Sequence, residues 1–564
     1  MKALAKAVEC SIGPHQRNVE NALVELRDSQ VISRIWAHDY TLWKSEPTEI
    51  INRLGWLHSP KVMGKSVERL NAFVEGVREE GYTDALLLGM GGSSLAPEVL
   101  RKAFGVKGGY LDIAVLDSTD PAAILAHAEK LEPHRTLFIV STKSGTTVET
   151  LSFFKFFYNW VRESMGKERA GEHFIAITDP GTPLADLAQG YGFRNCFLND
   201  PHIGGRYSAL SHFGLVPAAL IGMDIRTLLD RAMTMAWNCQ VEGENHGGCL
   251  GVVLGDLAKS GRDKVTLISS PQIESFGDWV EQLIAESTGK EGKGILPVVG
   301  ERVGPLHSYG DDRLFIYMRL DGDEVYERAV AELEDAGHPV VRIFLNDLYD
   351  LGRQFFLWEI AVVVAGHRLG INPFDQPDVE AAKSMAREAM AEYKERGALP
   401  LETPVLRDND IVVYGDITAN TPADALMRFL GSAPAGAYIA LQAYVQPTPE
   451  VDDVLQDLRT TLRDRFLLAT TLGYGPRFLH STGQLHKGDA GRGLFIQLTA
   501  DAPRDADIPD EAGSTASSMT FGVLKAAQAI GDRQALISRD RKVIRFHFQG
   551  DLIGGLTQLT EGLA

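Results

Sequence analysis

Between residues 84 and 199 the chain repeats one pattern five times: a short apolar run, "ALLLG", "IAVLDS", "LFIVST", "FIAITD" and "NCFLN", each set off from the next by a helix-length segment. Short runs rich in Leu, Ile, Val and Phe suit strands buried on both faces, and their alternation with helices predicts a parallel sheet covered on both sides. A second series, "KVTLISS", "ILPVVG", "LFIYMRL" and "VVRIFL", predicts another domain of the same kind. The expected fold class is therefore α/β, with two doubly wound parallel-sheet domains over residues 61–235 and 236–400. Before them, Val19, Leu23 and Leu26, then Ile32, Ile35 and Trp36, recur at helical spacing and predict a helical lead-in over 1–60. After them, residues 401–564 run strand, helix, strand, strand, helix, strand from "AYIALQAYV" to "KVIRFHFQ", which predicts a C-terminal α+β extension of ferredoxin-like order. Such division is needed, because single cores stop growing at roughly 250 to 300 residues. Within the extension, "TADAPRDADIPDEAGSTASS" (499–518) reads as a mobile loop.

Charge narrows the function. A formal net charge of −19 repels phosphate backbones and anionic lipid, so nucleic acid and membrane surfaces are not expected partners. Cys10, Cys196, Cys239 and Cys249 form no CxxC pair and read as buried thiols of a reducing compartment, without disulfides or zinc. The apolar part of "MKALAKAVEC" is too short for a signal peptide, and "FFLWEIAVVVAG" carries Glu359 and falls short of a bilayer span. A cytoplasmic location follows as the expectation.

Two loops carry the chemistry. In "LLLGMGGSSLAPEVL" an apolar run meets Gly89, Gly91 and Gly92, then Ser93, then a helix; in "LFIVSTKSGTTVETL" a strand meets Thr142, Lys143, Ser144, Thr146 and Thr147 ahead of another helix. Both loops lie at the carboxyl ends of strands and feed helix N-termini, where unpaired N–H groups and the helix dipole suit an anion. Neither is a nucleotide signature: Ser94 stands where a Rossmann loop wants Gly or Ala, and "TKSGTT" does not fit GxxxxGK[ST]. A sugar phosphate fits better; the plainer alternative is that "GMGGSS" is a tight turn and the threonines are N-caps.

Six ordered stretches, "GMGGSSLAPEV", "STKSGTTVET", "GGRYSALSHFGL", "ESTGKEGKGILP", "PLHSYG" and "NPFDQPDVEAAK", resemble the glucose-6-phosphate isomerase family over roughly residues 60 to 385. The resemblance implies two sugar isomerase (SIS) domains around one site that interconverts glucose 6-phosphate and fructose 6-phosphate without a cofactor or metal. It also implies residue roles: Glu286 as the base, Arg206 to stabilise the enediolate, His307 to help open the ring, and Lys383 near the ring oxygen. Gly92, Ser93, Thr142, Lys143, Ser144, Thr146, Thr147 and Gln376 would hold the phosphorylated hexose. In the family the histidine comes from the neighbouring subunit, so a homodimer is implied. Here the residues around His307 depart from the family form, leaving His338 as a weaker candidate, and Pro377 and Asp378 replace an aromatic residue and a glycine after Gln376. Glu286 would otherwise read as a solvated helix glutamate and Arg206 as half of a surface ion pair.

The tail motif "YGPRFLHSTGQLHKG" (474–488) resembles the isomerase half of fused transaldolase/glucose-6-phosphate isomerase proteins. A transaldolase barrel needs about 250 residues, far more than precede the first SIS-like domain, so transaldolase activity is not expected. His480, His486 and Lys487 of this motif lack a third metal ligand and read as packing groups. Action on mannose 6-phosphate as well, or a sugar-phosphate sensor without turnover, are the competing functions.

Overall fold

The structure, a computed structural model, describes residues 8–400 and 402–563, so most of the N-terminal stretch read above lies outside the described residues. Of the eighteen strands among the described residues, the first, β1 (Val8–Ser11), belongs to the second domain. The first domain holds β2 (Asp84–Gly89), β3 (Asp112–Leu116), β4 (Thr136–Ser141), β5 (Phe174–Thr178) and β6 (Asn195–Leu198), all parallel in the order β3-β2-β4-β5-β6. Winding runs from β2 to β3, then crosses back over β2 to β4, so the switch point lies between β2 and β4. Both candidate loops leave the sheet there, with Gly89 opposite Ser141 in the parallel register. Ligands of such sheets bind in this crevice.

The second sheet has the order β1-β10-β9-β7-β8, where β7 is Lys264–Ser269, β8 Leu296–Val298, β9 Arg313–Leu320 and β10 Val340–Leu345. Its own four strands are parallel, but β1 joins β10 antiparallel. The lead-in is thus not helical alone, and it does not stand before the first domain: it supplies an edge strand to the second. One apolar core runs through lead-in and both domains, crossed by the helix Leu351–Leu369, which is buried over most of its length. That helix carries Glu359, whose Oε1 has no hydrogen-bond partner among the described residues; burial holds its pKa well above the usual carboxylate range. Among the described residues no helix is long and apolar enough to cross a membrane.

The C-terminal domain departs from the expected layout. Its strands are β11 (Leu406–Asp408), β12 (Ile411–Tyr414), β13 (Tyr438–Tyr444), β14 (Ala469–Tyr474), β15 (Gly493–Ala500) and β18 (Lys542–Phe548), ordered β11-β12-β18-β15-β13-β14. The neighbours β14, β13, β15 and β18 all pair parallel, and only β11 and β12 are antiparallel. A ferredoxin-like sheet would be antiparallel, so this domain is a third α/β unit with an antiparallel edge. The error came from β14 and β15, read as neighbours in a row; residues 475–492 between them are long enough for a crossover and carry the helix Gly483–Gly488.

The predicted mobile loop is also anchored. Its short strands β16 (Asp507–Ile508) and β17 (Met519–Thr520) pair, and Ala506, Ile508 and Phe521 enter the core around Phe153 and Phe157 of the first domain. Along the helix Val148–Met165, Lys155 Nζ donates to Asp510 O at 2.8 Å, Asn159 Nδ2 to Ser514 O at 2.6 Å, and Arg162 to Gly513 O. Composition rich in Asp, Ala and Ser predicts looseness, but these side chains satisfy the loop's carbonyls one by one.

Candidate active site

The glycines of the first loop are explained by protein backbone. A Cβ on Gly92 would lie 2.1 Å from Gly205 O, in the turn that carries Arg206, so only glycine lets the two loops touch. Gly91 has φ +54°, and its Cβ would lie 2.9 Å from both Gln282 Nε2 and His480 O. Two segments remote in sequence, the arginine turn and the tail motif, therefore rest on this loop.

Arg206 is buried and fully committed. Its Nε donates to Ser287 Oγ at 2.8 Å, Nη2 to Pro373 O at 2.7 Å and Asp375 O at 3.0 Å, and Nη1 to Gln376 Oε1 at 3.5 Å. The same Nη1 lies 3.1 Å from Glu286 Oε1, and both side chains are at most a tenth exposed. The other Glu286 oxygen accepts from Gln282 Nε2 at 3.1 Å, one turn earlier on the helix Phe276–Thr288. Glu286 is thus no solvated helix glutamate, nor Arg206 a surface ion-pair partner. Lys290 clips the next loop in place: its buried Nζ donates to Asp375 O at 2.6 Å and Oδ1 at 2.8 Å. Burial, aided by Arg206, brings its pKa down to about 8.

The hydroxyl loop turns its side chains on one another. Thr142 Oγ1 and Thr147 Oγ1 are 2.8 Å apart, Ser144 Oγ and Thr146 Oγ1 2.9 Å, and Ser144, Thr146 and Thr147 line a cavity with Lys383 and His480. Ser93 is buried beside them, its carbonyl accepting from Ser141 Oγ at 3.0 Å. Lys143 turns away, pairing with Asp179 and donating to Pro201 O at 3.2 Å, and does not line this cavity. His307 is likewise not drawn into the cluster: it is exposed, next to Ser308, which donates to Asp464 Oδ1 at 2.8 Å on the C-terminal domain. His338 packs edge-on against Phe315 at 5.3 Å, also outside it.

Two groups in the cluster were not anticipated. Glu149, in the first turn after the hydroxyl loop, is 6% exposed; its Oε1 accepts from Gln528 Nε2 at 2.7 Å and lies 3.1 Å from His480 Nε2. Burial works against its charge, but the His480 imidazole and then the Lys383 ammonium outweigh it and hold its pKa below the usual range. A carboxylate right after an anion loop was the available signal for Glu149. For His480 the signal was its tail motif alone, which marks the residue without saying where it goes, since its place depends on how a separate domain docks. In the rest of the tail motif Gln484 bonds Asp378 and Gly289 of the second domain, while Lys487 pairs with buried Asp532 at 2.6 Å and His486 is buried against Phe495, both inside the C-terminal domain.

Comparison with known proteins gives the family. A family model described as phosphoglucose isomerase matches residues 61–292. The glucose-6-phosphate isomerase of Staphylococcus epidermidis is 30% identical over 382 residues, 58% of this chain and 85% of that protein. The chain belongs to the phosphoglucose isomerase family. The family enzyme of Rubrobacter xylanophilus is 28% identical over 65% of this chain and 94% of its own length. Among solved structures, a hypothetical protein of Thermus thermophilus superposes with a TM-score of 0.59 at 24% identity, covering 68% of this chain and 100% of its own, which shows a shared fold. Each of these matches leaves about a third of this chain or more uncovered.

Proposed function

We propose that the chain interconverts glucose 6-phosphate and fructose 6-phosphate through a cis-enediolate, with Glu286 as the base. The observation that carries this reading is the buried Glu286–Arg206 pair beside the hydroxyl-lined crevice of β2 and β4. An aldose becomes a ketose when one proton moves from C2 to C1 and a second moves from O2 to O1. Glu286 takes the C2 proton of the open sugar, the electron pair passes into the enediolate, and the same carboxyl returns the proton to C1. Negative charge grows on the sugar oxygens meanwhile, and Arg206, fixed by its other partners before substrate arrives, needs no rearrangement to meet it. Ser144, Thr146 and Thr147 supply donors for the phosphate, and Lys383 lines the same cavity. A regulator would need the anion loop alone; the buried acid and base partners favour turnover.

Turnover of fructose 6-phosphate by purified protein tests the reading. Glu286→Gln keeps the shape of the side chain and the Gln282 contact, and kcat is expected to fall by about 1000-fold or more. A mutant retaining nearly the wild-type rate would remove Glu286 from the role of base.

A further inference from the structure

We infer that the third α/β domain holds a ligand site of its own, shaped for a small organic carboxylate, at the carboxyl ends of β13, β15 and β18. The inference does not rest on the isomerase reading. In this sheet the winding runs from β13 out to β14 and then returns to β15 on the other side of β13, so the switch point lies between β13 and β15. Open α/β sheets take ligands at that position, and the crevice of the first domain occupies it too. Tyr444, Thr499 and His547 stand side by side in the parallel register near the strand tips. A cavity of about 340 Å³ opens against them and is lined as well by the helix Phe521–Ile537.

Two side chains that line this cavity keep unpaired polar atoms. Tyr444 is 0% exposed and its hydroxyl has no hydrogen-bond partner among the described residues; Arg545 is 8% exposed and its Nε has none either. A buried donor left without an acceptor is costly, and two on one small cavity call for acceptor oxygens from outside the chain. The neighbouring groups are already engaged. His547 has Nδ1 3.0 Å from Thr499 Oγ1 and Nε2 3.2 Å from Asp501 Oδ1, while Asp505 accepts from Ala506 N at 2.7 Å and Gly522 N at 2.8 Å. With the cavity's acids committed and its donors free, the chemistry selects an anion.

Charge decides which anion. Arg545 pairs with Glu402 and lies 4.1 Å from the centre of the Tyr414 ring; Lys525 Nζ donates to Asp120 Oδ2 at 2.8 Å. Each cation already shares its charge with one carboxylate, so a single added carboxylate suits the cavity better than the near-double charge of a phosphate group. Burial pulls the Arg545 pKa down even with Glu402 beside it, and one more negative charge would steady its cationic form. Ala526, Ala529 and Ile530 offer an apolar wall to the rest of the molecule. The cavity beside the hydroxyl loop is a separate one: it takes Leu524 and Gln528 from the same helix, and the two cavities share no residue.

Calorimetric titration of the full chain with benzoate and with pyruvate, and with inorganic phosphate as the rival oxyanion, tests the site. At least one carboxylate is expected to bind, more tightly than phosphate, and saturating fructose 6-phosphate is expected not to displace it. Tyr444→Phe is expected to weaken its binding about fivefold, and Arg545→Lys, which keeps a cation beside Glu402, about tenfold or more. Without ligand, Tyr444→Phe is expected to melt at the wild-type temperature or above, since its hydroxyl has no partner to lose. The inference is overturned by failure of both carboxylates to bind, by tighter binding of phosphate, by displacement with fructose 6-phosphate, by unchanged affinity in either variant, or by a lower melting temperature of Tyr444→Phe. None of these outcomes bears on Glu286 as the base.

Discussion

The two sides of the active site are built in different ways. Glu286, the proposed base, and Arg206 sit on segments whose neighbours in sequence do much of the holding: Gln282 and Ser287 flank Glu286 on its helix, and Asp375 and Gln376 share one short stretch. The opposite wall is assembled across hundreds of residues, with Glu149 from the first domain, Gln528 and His480 from the third. A motif reveals the first kind of construction because spacing encodes it. The second depends on docking between domains, which leaves no local pattern.

That contrast can be broken inside the C-terminal domain, where the tail motif is held. Lys487 and Asp532 are 1% and 0% exposed and 2.6 Å apart, so Lys487→Met strands a buried carboxylate and is expected to cost about 3–5 kcal/mol in denaturant unfolding of the C-terminal domain. Pairing it with Asp532→Leu removes both charges and is expected to recover most of the loss. If the single change were as mild as the double, the pair would not be what sets the tail motif.

A smaller effect compares the two seats on the glycine loop. Gly91→Ala sets a methyl against His480 O at a positive φ, with a backbone cost of about 1–2 kcal/mol. Turnover of fructose 6-phosphate is expected to fall by about tenfold. Unchanged turnover would mean that Gln282 and the His480 backbone give way to the methyl without disturbing Glu286.

The smallest effect concerns stability alone and serves as a control on the buried helix Leu351–Leu369. Glu359 keeps its proton in the folded state at a pH where the unfolded chain has lost it, because its folded pKa is raised. Stability from this group is therefore complete below the unfolded pKa and declines as pH rises above it. Glu359→Gln is expected to raise Tm more at pH 8 than at pH 5, with turnover unchanged. A Tm difference independent of pH would show that the carboxyl is not held neutral.

Sequence patterns reached the first two sheets, strand by strand, since runs such as "LFIVST" can be buried only one way. They also reached the crevice between β2 and β4, while the direct pairing of Glu286 with Arg206 became visible only in the structure. They missed β1, because four residues of mixed polarity carry no periodic signal and the partner strand lies more than three hundred positions away. Parallel pairing in the third sheet was hidden because a strand does not declare the direction of its neighbour. Lys143 looked like a phosphate ligand for its position in the loop, yet Asp179 on the adjacent strand end claims it.

The carbonyl of Gly205 occupies the place where any side chain at position 92 would begin. Two stretches that look independent on paper are in three dimensions a single interlocked part, like two gears cut to one pitch. Anyone transplanting the arginine turn into a related scaffold must carry the glycine tip along with it, and a library that varies one while fixing the other will return mostly broken proteins.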